Sequence, residues 1–173
     1  MLSLSGELNL RMYGPSARPK LPDKISNYAW KPDAKVEDQN RRSVYVFVKR
    51  NMRYPLFDAF DWPDLHNSCS RRANTTTAPQ ALLLLNGDFT QERAQRLGTE
   101  LLTQYGDDDA GLVTRAYRGA WGRTPTSEEV RLGVKFLGEQ AARLKVRGDD
   151  ARKAAIIDFC HAVLNTNESL YVD

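Results

Sequence analysis

Three aspartates, Asp58, Asp61 and Asp64, recur at three-residue spacing in a segment that also holds Pro55 and Pro63. Clustered carboxylates can move protons or hold a calcium ion through oxygen. A calcium loop needs a denser array of oxygens and a glycine turn. Aspartates in turns also have a local role, capping amides and pairing with arginines such as Arg53, Arg71 and Arg72. The structural role is the expectation. His66 and Cys69 with Asp61 match no zinc spacing, and a fourth ligand is missing. His161, beside Cys160, could complete the set only if the last helix packs on this loop. No metal and no cofactor are expected.

The polar run Asn67 to Thr77, NSCSRRANTTT, is the best candidate for a site. Arg71, Arg72, Asn74, Thr76 and Gln80 offer guanidinium, amide and hydroxyl groups ahead of a helix start, where anions are favoured. That chemistry suits sulfate, phosphate or carboxylate. The same residues also suit a buried knot that satisfies loop backbone. Both readings stand at this point. No nucleophile with a neighbouring base stands out, so the catalytic residues are unknown.

The elements that must position these groups follow from composition and spacing. The chain has 173 residues, 41% hydrophobic and 27% charged, which fits one soluble-type domain with a real core. No apolar run approaches the roughly 18 residues that span a bilayer. The N-terminus lacks the pattern of a signal peptide. Residues 41–86 carry seven Lys and Arg against three Asp, while the rest holds 18 basic and 19 acidic residues. Nucleic-acid binding would want a longer basic surface with exposed aromatics, and Tyr45 and Phe47 read as core, so no nucleic-acid partner is expected. Two cysteines allow at most one bridge. Cys160, on an apolar helical face, reads as a buried free thiol.

Residues 1–40 are too rich in Gly and Pro for long elements. Met1 to Leu4 fits the tail of a helix, with Gly6 just past its end. The run SVYVFV, Ser43 to Val48, has strand composition. It needs a partner, which leaves pairing with the N-terminal arm or a helical outcome. Thr77 and Gln80 have capping-box spacing, and Ala81 to Leu85 is apolar all round, which predicts a central helix. Apolar stripes then predict helices from Asp88 to about Tyr105, from Asp109 to Trp121, from Ser127 to about Val146, and from about Ala151 to Asn165. Asn86, Gly106, Gly122 and Gly148 punctuate them, and Thr126 with Glu129 makes a second capping box. The predicted class is mainly α: a multi-helix antiparallel array with an irregular N-terminal arm and at most one short strand pair. Residues 1–40 form the arm packed on the body. Residues 41–173 form the helical domain, with a polar loop at 58–80.

The segments RRSVYVFVKRNMRYPLFDAFDWPD and NTTTAPQALLLLN resemble the domain of unknown function fifteen-fifty-three, the C-terminal domain of large planctomycete proteins. LVTRAYRGAWGRTPTSEEV is similar to that family's helix–turn–helix with a Gly-Arg-x-Pro-Thr corner. DFCHAVLNTNESLYVD is similar to its C-terminus. The resemblance implies that this chain corresponds to the C-terminal part only. It also implies an exported protein, in the periplasm or at the cell surface. Implied partners are the preceding domains of the parent protein, a c-type cytochrome domain among them, and anionic polysaccharide. It carries over no catalytic residues. The function expected is a non-catalytic structural or interaction module. The alternatives are part of a redox or carbohydrate-active enzyme with a site in residues 61–80, and an anionic-glycan binding module using Arg71 and Arg72.

Overall fold

Apolar residues at three- and four-residue spacing fold into helices from Asp88 onward, with breaks at Gly106 and Gly122 where the sequence puts them. The computed structural model describes residues 1–22, 25, 30–63, 75, 77–144 and 149–171. Among these are eight α-helices: α1 (Val36–Gln39), α2 (Pro55–Ala59), α3 (Ala78–Asn86), α4 (Asp88–Tyr105), α5 (Asp109–Trp121), α6 (Ser127–Arg143), α7 (Asp149–Leu164) and α8 (Asn167–Leu170). No strand is present among the described residues, so the chain is mainly helical. It divides into two compact units. One comprises Met1, Ser3–Gly6 and Leu84–Asp173, and the other comprises Leu2 and Glu7–Leu83.

The first unit is a packed helical array. Gly106, at φ +52°, follows the end of α4. Gly122, at φ +68°, ends α5 in the left-handed conformation that a side chain would resist. Thr126 and Glu129 form the expected reciprocal capping box at the start of α6. Gly148 lies outside the described residues. The core joins Ala94, Leu97 and Leu101 of α4 to Leu112, Val113 and Ala116 of α5, Leu137 of α6, and Ile156, Phe159, Cys160, Val163 and Leu164 of α7. Burying a side chain of Leu or Ile size contributes about 1.5–3 kcal/mol before entropy is counted.

Helix α7 is the centre of this unit, packing on α4 and α6 most extensively and on α5 and α8 as well. Gly98 lets α4 approach it closely, because a Cβ there would lie 3.0 Å from Ile157 Cγ1. Gly133 serves the α5–α6 contact, where a Cβ would lie 2.8 Å from both Val113 methyls. Cys160 is a free, buried thiol, and burial pushes its pKa up to about 12. At the N-terminus, Ser5 N–H donates to Met1 C=O at 3.0 Å and Gly6 has φ +68°, so one helical turn ends at a left-handed glycine as expected.

Helix α3 corrects one expectation. Its apolar run was expected to be central. Instead Gln80 and Leu84 are its buried residues, while Leu82 is 58% and Leu85 47% exposed. A nine-residue helix buries one stripe, and a run apolar all round does not say which. Phe136 of α6, another large apolar side chain, is also 37% exposed.

The second unit has little helix. SVYVFV forms no strand. Ser43–Tyr45 is a 3-10 turn, and Val46 makes an isolated parallel bridge with Ala17 of the arm. Ala17 N–H donates to Tyr45 C=O, and Phe47 N–H to Ala17 C=O, both at 2.7 Å. Both alternatives left open by the sequence are therefore realised in miniature. A single bridge joins the arm, beside a single helical turn.

Buried Arg41 organises this unit. Its guanidinium donates to the carbonyls of Pro15 at 2.7 Å, Arg11 at 2.9 Å and Tyr13 at 2.7 Å. It also lies over the Tyr45 ring, 4.0 Å from the centroid. The carbonyls converge because Tyr13 and Gly14 are both left-handed, at φ +61° and +81°. Side chains satisfy other arm backbone too. Arg18 N–H donates to Asp33 Oδ2, Lys20 N–H to Gln39 Oε1, and Trp30 Nε1 to Pro19 C=O. Aromatic contacts run from Phe47 to Trp30, then to Tyr54, Phe57 and Trp62.

Candidate functional site

The acidic segment begins on α2, whose first residue, Pro55, has a φ already suited to a helix start. The helix ends in a Schellman motif. Asp61 is left-handed at φ +55°, and Trp62 N–H reaches back to Phe57 C=O at 3.1 Å. The Trp62 ring stacks on Phe57 with centroids 5.0 Å apart, which supplies the apolar contact of that motif. Aspartate tolerates this backbone better than most side chains.

That turn aims the Asp61 carboxylate at Thr75. Thr75 N–H donates to Asp61 Oδ2 at 2.7 Å, and Thr75 Oγ1 lies 2.9 Å and 2.8 Å from the two carboxylate oxygens. Gln80 closes the other side. Its Oε1 accepts from Thr77 N–H and its Nε2 donates to Thr75 C=O, both at 2.9 Å. The first contact is the glutamine half of the predicted capping box, and Gln80 is 3% exposed. Asp58 is exposed and paired with Arg53 at 3.0 Å. Asp61 and Gln80 thus hold the entry to α3 as a clamp on Thr75 and Thr77. The Asp61 carboxylate is thus spent on the amide and hydroxyl of Thr75 in its own chain.

The other candidates, Asp64, Arg71, Arg72, Asn74 and Thr76, lie outside the described residues, as do His66 and Cys69. Among the described residues no three His, Cys, Asp or Glu side chains gather as a metal could use them. No helix there is long and apolar enough to cross a membrane.

Among the described residues a dense charged cluster sits elsewhere, at the α5–α6 corner, and sequence reasoning did not assign it as a site. Arg123 spans Glu129 at 2.7 Å and 2.9 Å, and its Nη2 also donates to Glu168 at 3.0 Å. The guanidinium lies over the rings of Trp121 and Tyr117. Trp121 Nε1 donates to Thr166 Oγ1 at 3.0 Å, a second tie from this corner to the start of α8. The hydrogen bonds from Arg123, then the Thr126 amide, hold Glu129 down at about 2. Arg123 also lowers the pKa of Glu168 and is itself raised, chiefly by Glu129. The available signal was the Gly-Arg-x-Pro-Thr corner itself, a left-handed stop running into a capping box. With no nucleophile and all three charges mutually satisfied, the cluster is a brace for α8.

Arg123 and Glu129, like Asp61 and Gln80, fall within a family match. The profile of the family described as PSD1, protein of unknown function (DUF1553), matches residues 1–137. The chain belongs to this family. No curated protein and no solved structure matches it. The matched span holds all of the second unit and runs into α6, so the clamp and the Arg123–Glu129 pair lie inside it. Helices α7 and α8, which supply the centre of the core and Glu168, lie beyond it.

Proposed function

We propose that this chain is a non-catalytic structural and interaction module, the C-terminal part of an exported planctomycete multidomain protein, working against that protein's preceding domains in the periplasm or at the cell surface. The observation that carries the reading is how the polar groups at the candidate site are used. Asp61 and Gln80 direct their hydrogen bonds onto Thr75 and Thr77 of their own chain. Apolar groups that a finished surface would cover stand exposed instead, among them Leu82 and Leu85 of α3 and Leu132 of α6. A c-type cytochrome domain is the partner that the family resemblance suggests.

The test mixes this chain with the separately expressed preceding domains of its parent protein and measures association by calorimetry. A saturable complex is expected, weakened about tenfold or more when Leu82 and Leu85 are both changed to Glu. Absence of association would remove the reading. Saturable binding of a sulfated polysaccharide instead, lost in Arg71→Ala or Arg72→Ala, would install the glycan-binding alternative. Turnover of a sugar or redox substrate, lost in Asp61→Asn, would install the enzyme.

A further inference from the structure

A cavity of about 300 Å³ opens within the helical unit, between the first residues of the chain, α5 and the α7–α8 end. Its wall carries Arg115 of α5 with Ser3 and Ser169, and its apolar part is Leu4, Ala120 and Leu164. Arg115 makes no hydrogen bond and no ion pair among the described residues. Glu168, next to Ser169 in the chain, is engaged by Arg123. The Arg115 charge is therefore left without a counter-ion. Its position is set by Gly119, one turn along α5. A Cβ there would come 3.0 Å from Arg115 Nη1 and 2.5 Å from Leu4 Cδ1. The guanidinium and an apolar methyl thus rest on the same bare stretch of backbone, side by side at the cavity.

We propose that this cavity binds a small organic carboxylate, with its head on Arg115 and its short aliphatic chain on Leu4 and Ala120. A guanidinium presents parallel N–H groups that match the two oxygens of a carboxylate. Two serine hydroxyls lie on the same wall to donate to the anion. The apolar side favours a ligand with a hydrocarbon part over sulfate or phosphate, which keep their hydration on every side. The volume is at the small end for ligand sites and leaves ample room for a short-chain carboxylate.

The test is a titration of the full chain with butyrate, followed by amide chemical shifts, with sulfate and 1-butanol as parallel probes. Saturable shifts are expected at Arg115, Gly119 and Ser169, with half-saturation at a concentration about tenfold lower for butyrate than for either comparison probe. Arg115→Ala is expected to weaken butyrate about tenfold or more, while Arg118→Ala, on the same helix and outside the cavity, leaves it unchanged. Arg115 is exposed, so its alanine variant is expected to keep the fold. If its spectrum is not native, Arg115→Lys, which keeps the charge and loses the fork, decides the point by binding butyrate more weakly than the parent. No saturable shift, equal half-saturation by sulfate and butyrate, or unchanged binding in whichever arginine variant decides the point would each overturn the proposal.

Discussion

Between Asp88 and Leu164 the backbone satisfies itself inside helices, and the side chains are left to build a core from Leu112, Ile156, Cys160 and their neighbours. Between Asn9 and Phe47 the arrangement is reversed. There the backbone relies on side chains, with Arg41, Gln39 and Asp33 bonding to carbonyls and amides of the arm. The first design spreads stability over many contacts of similar kind. The second concentrates it in a few polar groups, each of which has no substitute of the same shape. The family match takes in all of the second region and the first as far as residue 137.

The largest effect is expected in the helical unit. Leu112 is fully buried among α4, α6 and α7. Leu112→Ala should cost about 3–4 kcal/mol, the transfer loss plus a cavity that packed helices close only in part. Urea denaturation measures it. A cost under about 1 kcal/mol would mean that the unit lacks the rigid core described.

Arg41→Ala should cost less, about 2–3 kcal/mol, and it should be felt locally. Three carbonyls lose their donor, and Tyr45 loses the group stacked on it. Hydrogen exchange separates the two units. The amides of Ala17 and Phe47 should lose protection, while those of Leu101 and Phe159 keep theirs. Arg41→Lys should rescue little, because one ammonium does not reproduce the guanidinium fork. Equal loss of protection in both units would break the comparison.

The sequence showed the first unit far better than the second, for a physical reason. Helix spacing repeats, so Leu97, Leu101, Leu112, Ile156 and Val163 were readable one after another, and Gly106, Gly122 and Thr126 marked the ends. A polar clasp does not repeat. In the sequence Arg41 is one charge beside a run of strand composition, and nothing in Tyr13-Gly14 announces two left-handed residues beneath it. SVYVFV has strand composition, yet one bridge to Ala17 is all the pairing it makes among the described residues, because composition does not supply a partner strand. At the candidate site, Gln80 was legible through its spacing from Thr77. The link from Asp61 to Thr75 spans 14 residues and depends on a Schellman turn, which no short-range pattern reports.

Removing one cap should have a smaller effect. Thr126→Ala deletes the hydroxyl that accepts from Glu129 N–H at 3.3 Å and should cost about 1 kcal/mol by urea denaturation. The Glu129 carboxylate keeps its own bond to the Thr126 N–H at 2.7 Å, so half the box survives. A loss above about 2 kcal/mol would show that the start of α6 depends on this hydroxyl beyond the range of an ordinary cap.

The smallest effect belongs to the Arg123 corner, and pH exposes it. Glu129 has a folded pKa of about 2 against an ordinary value of 4.5, and Glu168 is shifted the same way. A carboxylate with a depressed folded pKa favours the folded state fully above its unfolded value. The gain is lost as pH falls from about 4.5 through about 2, because the unfolded chain takes up its proton first. The melting temperature should therefore fall with acid in that window more steeply in the parent than in Arg123→Met. In the variant Glu129 keeps the Thr126 amide, and Glu168 loses its bonds from Arg123. The side chains are 27–45% exposed, so the attraction is screened and the difference should shrink in 1 M salt. If the acid slopes of parent and variant coincide at low salt, the three charges do not act as a brace, and α8 is held by Trp121, Thr166 and packing alone. If they differ as expected, the helical unit also contains a corner of the kind that governs the other unit, a guanidinium whose several partners no single apolar contact could replace.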